Sequence, residues 1–295
     1  MQEHRPRCGF IGLGAMGSPM AGHLHRHGLL TAVWNRSLGK SEQFARDHAG
    51  VGIAESPAGL ARSVDVVAIC VSADDDLRAV VAAMESGLRP GMIVVDHSTV
   101  APATARALAD RLGALAVAFV DAPVTGGVEG AKNGQLAIMA GGEAAAFGNL
   151  DEVFGAYGKV WRLLGPAGAG QSAKAVNQLM VAGIAEAVCE GLALVEKLDL
   201  PQREMLELLG GGAAGSWFLD KRGATMLADS FETGFAPALL LKDLRIVEDL
   251  LAQAGFESSV LPAALEDYSH LVEARQDDGQ DDGDISALIR LKRDS

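Results

Sequence analysis

Residues Gly12-Leu13-Gly14-Ala15-Met16-Gly17 fit the pattern G-x-G-x-x-G, follow the apolar run Cys8-Gly9-Phe10-Ile11 and open a segment with helical periodicity. In that setting Gly12 permits the tight turn, Gly14 lets backbone amides approach a pyrophosphate, and Gly17 allows close packing of helix on strand. The helix N-terminus then faces the anion. About twenty residues on, a second apolar run ends Val33-Trp34-Asn35-Arg36-Ser37, where an NAD-preferring site would carry a carboxylate for the ribose hydroxyls. This loop has none. Asn35 can hydrogen-bond a ribose, and Arg36 and Ser37 can hold a 2′-phosphate, so NADP(H) is the expected cofactor, with NAD(H) possible.

Two more constellations could do chemistry. Asp121-Ala122-Pro123-Val124-Thr125-Gly126-Gly127 lies just past a strand's expected C-terminal end, where open α/β sheets bind ligands. Gly126 and Gly127 would free adjacent amides to cradle a carboxylate, with the Thr125 hydroxyl as a third donor; a plain turn is the competing reading. Farther on, Gly165-Pro166-Ala167-Gly168-Ala169-Gly170 leads into Gln171, Lys174, Asn177 and Gln178. At 100° per residue these four share one side of a helix and form a polar stripe on an apolar element. Lys174 is then either a snorkelling surface residue or a buried base whose pKa desolvation lowers.

The elements that must position these groups follow from the apolar pattern. Strands are expected at 7–12, 30–35, 64–71, 92–97, 116–121, 135–140 and 159–163, with helices at 16–27, 40–48 and 102–112 between them, the signature of βαβ units. Beyond Gly165 the pattern becomes helical, starting with one long helix over 170–197. The expected fold is α/β: a Rossmann-type doubly wound sheet over residues 1–164, then an all-α domain over 165–295 that begins with a long interdomain helix. Gln276–Asp284, rich in aspartate, is expected as a solvated loop, since its spacing does not fit a calcium loop.

A formal net charge of −13 leaves no basic surplus for nucleic acid or an anionic membrane. Cys8, Cys70 and Cys189 sit in separate apolar runs and read as reduced thiols, which favours a cytoplasmic setting. No secretory leader is evident, and the most apolar stretch, Val176–Leu194, is interrupted by Glu186 and Glu190. His23 and His27 share a helix face, but no acidic residue accompanies them in that turn and no metal site is expected. The apolar faces of the long helix suggest a homodimer or homotetramer packed through the helical domain.

Taken in order, Phe10–Gly17, Asp96-His97-Ser98-Thr99, Asp121–Gly127, Gly165–Gln178 and Leu241-Lys242-Asp243-Leu244 resemble the β-hydroxyacid dehydrogenase family over nearly the whole chain. That family includes 3-hydroxyisobutyrate dehydrogenase, tartronate semialdehyde reductase and short-chain semialdehyde reductases. The resemblance implies that Lys174 is the general acid/base and that Thr125, Gly126 and Gly127 bind the carboxylate of a small substrate. It further implies that Val71 and Thr99 lie along the cofactor, and that Lys242, with Asp243 beside it, closes over cofactor or substrate. Members often carry Asn-Asn one turn after the lysine, whereas this chain reads Asn177-Gln178. Asn177 is the expected orienting amide and Gln178 the alternate. An imine reductase shares this architecture but generally lacks the lysine; a cofactor-sensing interaction module is the reading from another class.

Overall fold

The computed structural model describes residues 5–232, 234–278 and 283–293. Two compact units divide the chain, Met1–Lys174 and Ala175–Ser295.

In the first unit a mostly parallel sheet contains β1 (Cys8–Ile11), β2 (Leu30–Trp34), β3 (Gly52–Ile53), β4 (Val66–Ile69), β5 (Ile93–Asp96), β6 (Ala118–Asp121), β7 (Val124–Thr125), β8 (Leu136–Gly141) and β9 (Gly158–Gly165). Their order is β3-β2-β1-β4-β5-β6-β8-β7, with β9 also pairing β8. The first six strands run parallel, while β8 is antiparallel to β6 and β7. Alternate residues feed two cores, as the two-residue period of a doubly covered sheet requires. Phe10, Val66, Ala68 and Val95 enter one core, and Ile11, Val67, Ile69 and Val94 the other. The two-residue strands β3 and β7 were not expected, because segments that short carry no readable alternation.

The second unit holds most of the long helix Ala169–Lys197, then helices Gln202–Gly210, Trp217–Leu227, Pro237–Ala254, Leu261–Asp278 and Ile289–Arg293. Its core joins Ala182, Ala185, Cys189 and Leu192 of the long helix to Leu240, Leu244, Tyr268 and Leu288. By length and composition the long helix could cross a membrane; here its small residues let neighbouring helices approach closely. Lys292 ties the last helix to this unit by ion pairs with Glu186, Glu190 and Asp267.

The expected solvated loop over 276–284 is corrected. Gln276–Asp278 close the helix Leu261–Asp278, and 279–282 lie outside the described residues. Asp284 is buried, because its carboxylate accepts from the amides of Ser286 (3.1 Å) and Phe235 (3.0 Å) and from Arg222 Nε (3.2 Å). A buried carboxylate needs such donors.

Candidate functional site

The glycine turn leaves the C-terminal end of β1, with Gly12 at φ +96°, a conformation that favours glycine. A Cβ on Gly12 would collide with Cys70 O, and one on Gly17 with Gly12 O, so both glycines are dictated by the protein's own packing. Gly14 differs. Nothing lies within 4 Å of the position its Cβ would take, so internal packing leaves that side of the turn open to a ligand. This is the cradle a pyrophosphate requires, and the chain fits a dinucleotide here. The turn is held from β2: Asn35 Oδ1 accepts from Leu13 N at 2.9 Å, and Asn35 Nδ2 donates to Ser37 O at 3.1 Å. The Asn35 amide therefore braces the turn.

Arg36 occupies the loop tip with its side chain 83% exposed, and its Nη1 lies 2.9 Å from Asp76 Oδ1. The absence of a carboxylate within the loop is thus only half the picture. Asp76, forty residues on, supplies one in space, which no local pattern could show.

A second group gathers at the ends of β5 and β6. Asp96 and Asp121 are neighbours in register and both are fully buried. Asp121 Oδ1 accepts from Gly168 N at 2.7 Å and Oδ2 from Gln171 N at 2.9 Å. The carboxylate thereby caps the start of the long helix, where the helix dipole favours negative charge. Burial raises its pKa, and the amides of Gly168, Gln171 and Gly170 pull against that rise. The tight lead-in is required by space: a Cβ on Gly170 would press on Asp121 O at 2.7 Å and Asp121 Oδ2 at 2.8 Å.

Gln171, in the same first turn, donates from Nε2 to Ser98 O (2.8 Å) and accepts at Oε1 from Val100 N (3.2 Å). It therefore grips the backbone on both sides of Thr99. Ser98 Oγ in turn accepts from Val71 N at 2.9 Å. Val71, Thr99 and the first turn of the long helix form one hydrogen-bonded unit. One turn beyond Gln171 stands Lys174, only 8% exposed. Of the two readings of this lysine, the snorkelling surface residue is set aside.

His97 lies beneath this group, with Nδ1 2.7 Å from Ala122 O and Nε2 2.8 Å from Tyr157 Oη. Burial lowers its pKa to about 4. The ring is therefore neutral at pH 7, donating from Nδ1 to the carbonyl and accepting the Tyr157 hydroxyl at Nε2. Asp96 Oδ1 accepts from Ser98 N at 3.0 Å, while Oδ2 is buried with no hydrogen-bond partner. Burial lifts the Asp96 pKa to about 7. An acid with a raised folded pKa contributes stability that is fully present below its ordinary 3.8 and is lost as pH climbs through about 7. The His97 contribution runs the other way, present above its ordinary 6.5 and lost as pH falls through about 4. Asp96→Asn removes the first alone. The melting temperature of this variant relative to wild type should therefore be higher at pH 8 than at pH 5.5, and equal differences at the two pH values would refute the assignment.

Thr125 is half-buried in β7, and Gly126 (φ +129°) and Gly127 (φ +63°) turn the backbone into the next helix. Their positive φ angles account for two consecutive glycines. In the second unit Asn177 Nδ2 donates to Gln178 Oε1 (2.8 Å), and Gln178 Nε2 donates to Asp243 Oδ2 (2.6 Å). Asp243 Oδ1 is ion-paired with Lys242 Nζ at 2.8 Å. Asn177, Gln178, Lys242 and Asp243 thus form one polar chain, in which Asp243 is buried and Lys242 more open. His23 Nε2 lies 3.1 Å from Lys132 O, and His27 Nδ1 2.9 Å from His23 O.

Sequence reasoning missed the roles of two residues and one residue altogether. Asp121 and Gln171 had been noted within their motifs, but a cap formed fifty residues away leaves no periodic trace. Asp76 had not been noted at all.

Comparison with known proteins places these features in a family. A model of the NAD binding domain of 6-phosphogluconate dehydrogenase matches residues 7–165, and one described as NAD-binding of NADP-dependent 3-hydroxyisobutyrate dehydrogenase matches residues 168–292. An uncharacterized oxidoreductase of Shewanella frigidimarina (strain NCIMB 400) is 38% identical over 290 residues, covering 97% of this chain and 99% of the relative. A probable 3-hydroxyisobutyrate dehydrogenase-like 1, mitochondrial, from Arabidopsis thaliana is 35% identical over 289 residues, covering 97% and 86%. The solved structure of Mycobacterium tuberculosis 3-hydroxyisobutyrate dehydrogenase with L-serine aligns at TM-score 0.85 and 27% identity, over 98% of this chain and 100% of that one.

Proposed function

The chain belongs to the β-hydroxyacid dehydrogenase family of nicotinamide-dependent oxidoreductases, and from that premise we propose that it interconverts a small 3-hydroxy acid, or a 2- or 4-hydroxy acid, with the corresponding semialdehyde or oxo acid. The observation that carries this reading is Lys174, buried one turn into a helix whose start is fixed by Asp121 and Gln171. A buried lysine on a helix whose first turn is fixed suits proton transfer at the reacting oxygen.

When bound, the nicotinamide takes up or gives the hydride. In oxidation Lys174 Nζ accepts the hydroxyl proton, and in reduction its ammonium returns a proton to the developing alkoxide. Thr125, Gly126 and Gly127 hold the substrate carboxylate, and Asn177, backed by Gln178, orients the oxygen. Thr99, gripped on both sides by Gln171, lies beside the nicotinamide together with Val71. Gly12 through Gly17 hold the pyrophosphate, and Lys242 and Asp243 bear on the cofactor. Fixing both reactants in line supplies much of the rate.

NADP(H) is the preferred cofactor on this reading, with Arg36 and Ser37 as the 2′-phosphate ligands. Residues 1–164 serve as the cofactor domain and 165–295 as the substrate and dimerisation domain, in a cytoplasmic setting that suits the thiols. Along the long helix Val176 (59%), Met180 (62%) and Ile184 lie exposed four residues apart. Such a stripe supports a homodimer or homotetramer; a monomer in sedimentation at micromolar concentration would contradict it.

The test is turnover of short 3-hydroxy acids with NADP+ and NAD+, and of semialdehydes with the reduced forms, followed by nicotinamide absorbance. Silence across the panel, or turnover of cyclic imines instead, would refute the reading. The lysine that imine reductases generally lack argues against the second outcome.

A further inference from the structure

β2 and β4 flank β1 in the sheet and all three run parallel, so the loops after β2 and β4 rise on either side of the glycine turn. Arg36 stands in the first of these loops, and Asp76 in the opening turn of the helix Asp74–Met84 that follows the second. Their ion pair at 2.9 Å reaches across the end of β1, a span of two strand spacings, or about 10 Å. The other acids of that turn are engaged elsewhere. Asp74 Oδ1 accepts from Ala101 N (3.0 Å) and Thr104 Oγ1 (2.5 Å), and Asp75 pairs with Arg78. Asp76 thus engages Nη1 of Arg36 and stands beside the donors a 2′-phosphate would need.

On the reading of Arg36 as a 2′-phosphate ligand, we infer that Asp76 sets the degree of cofactor selectivity by opposing that phosphate. A phosphorylated ribose must share Arg36 with the Asp76 carboxylate, which already offsets the guanidinium charge and stands as a like charge within a few ångströms of the phosphate. A ribose with free hydroxyls meets neither obstacle. The carboxylate is 31% exposed and the guanidinium 83%, so the opposition is partly screened and falls with ionic strength. Arg36 and Asp76 together hold the preference for the phosphorylated dinucleotide below what Arg36 alone would give.

Titration calorimetry of NADPH and NADH on wild type, Asp76→Asn and Arg36→Ala reads this without turnover. The asparagine keeps an oxygen for Arg36 and the shape of the side chain, and removes only the charge of a partly exposed surface pair, so the fold is expected to be retained. Asp76→Asn is expected to tighten NADPH about three- to tenfold at low salt, to leave NADH within about twofold, and to lose most of the gain at high salt. Arg36→Ala is expected to weaken NADPH and leave NADH nearly unchanged. If Arg36→Ala erodes the preference while Asp76→Asn leaves it unaltered, the role of Asp76 is overturned and that of Arg36 stands. If Arg36→Ala does not alter the preference, the phosphate reading itself falls and the inference falls with it.

Discussion

Lys174→Met is expected to lower turnover by about 10²–10⁴-fold, the range typical of a positioned proton-transfer group, while leaving NADPH affinity within about twofold. The split follows from where the groups stand. The proposed dinucleotide cradle, Gly12–Gly17 with the Asn35 brace, does not touch the helix bearing Lys174 through the bonds described. Methionine matches the lysine stem in length and suits a buried position, so loss of fold does not cloud the result. Turnover at saturating NADPH and aldehyde acid, paired with NADPH affinity by fluorescence, decides the matter. A variant that keeps most of its activity would remove Lys174 from the reaction. Loss of activity and of nucleotide binding together would point to a structural role instead.

Much of this arrangement was legible in the residues themselves. The seven longer strands were legible as short apolar runs and the long helix as an extended apolar segment, and their observed bounds differ from the expected ones by a few residues at either end. The polar stripe of Gln171, Lys174, Asn177 and Gln178 was readable as one helix side, and the burial of all but Asn177 turns an ambiguous lysine into a chemical candidate. Contacts between distant segments were not readable. Asp121 meets Gly168 and Gln171 only because β6 ends where the long helix begins, and Asp76 meets Arg36 only because β2 and β4 flank β1. Composition marks a change near residue 164, whereas the compact division falls after Lys174. The bonds from Asp121 and Gln171 explain the offset: they bind the first turn of the helix to the strands before it.

Those same bonds make Asp121 the position where a residue outside the reaction should matter most. Asp121→Ala leaves the amides of Gly168 and Gln171 without an acceptor in a buried setting, at a cost of about 1–3 kcal/mol for each unsatisfied group, and removes the charge that favours the helix start. A lower melting temperature is expected. The more informative consequence is kinetic, because Lys174 lies one turn past Gln171 and inherits its register. A displacement of about 1 Å at a reacting group can cost about 10²-fold, so kcat should fall by about 10- to 100-fold in protein that circular dichroism shows to be folded. NADPH affinity should fall less than kcat, since the glycine turn is braced separately by Asn35 and only Val71 and Thr99 share the hydrogen-bonded unit that Asp121 holds. Asp121→Asn sharpens the test. It keeps the shape but turns an NH2 group toward one of the two amides, so it should retain more stability than the alanine variant and still lose most of its kcat. If both variants melt lower yet keep the wild-type kcat, Asp121 holds the fold without positioning Lys174.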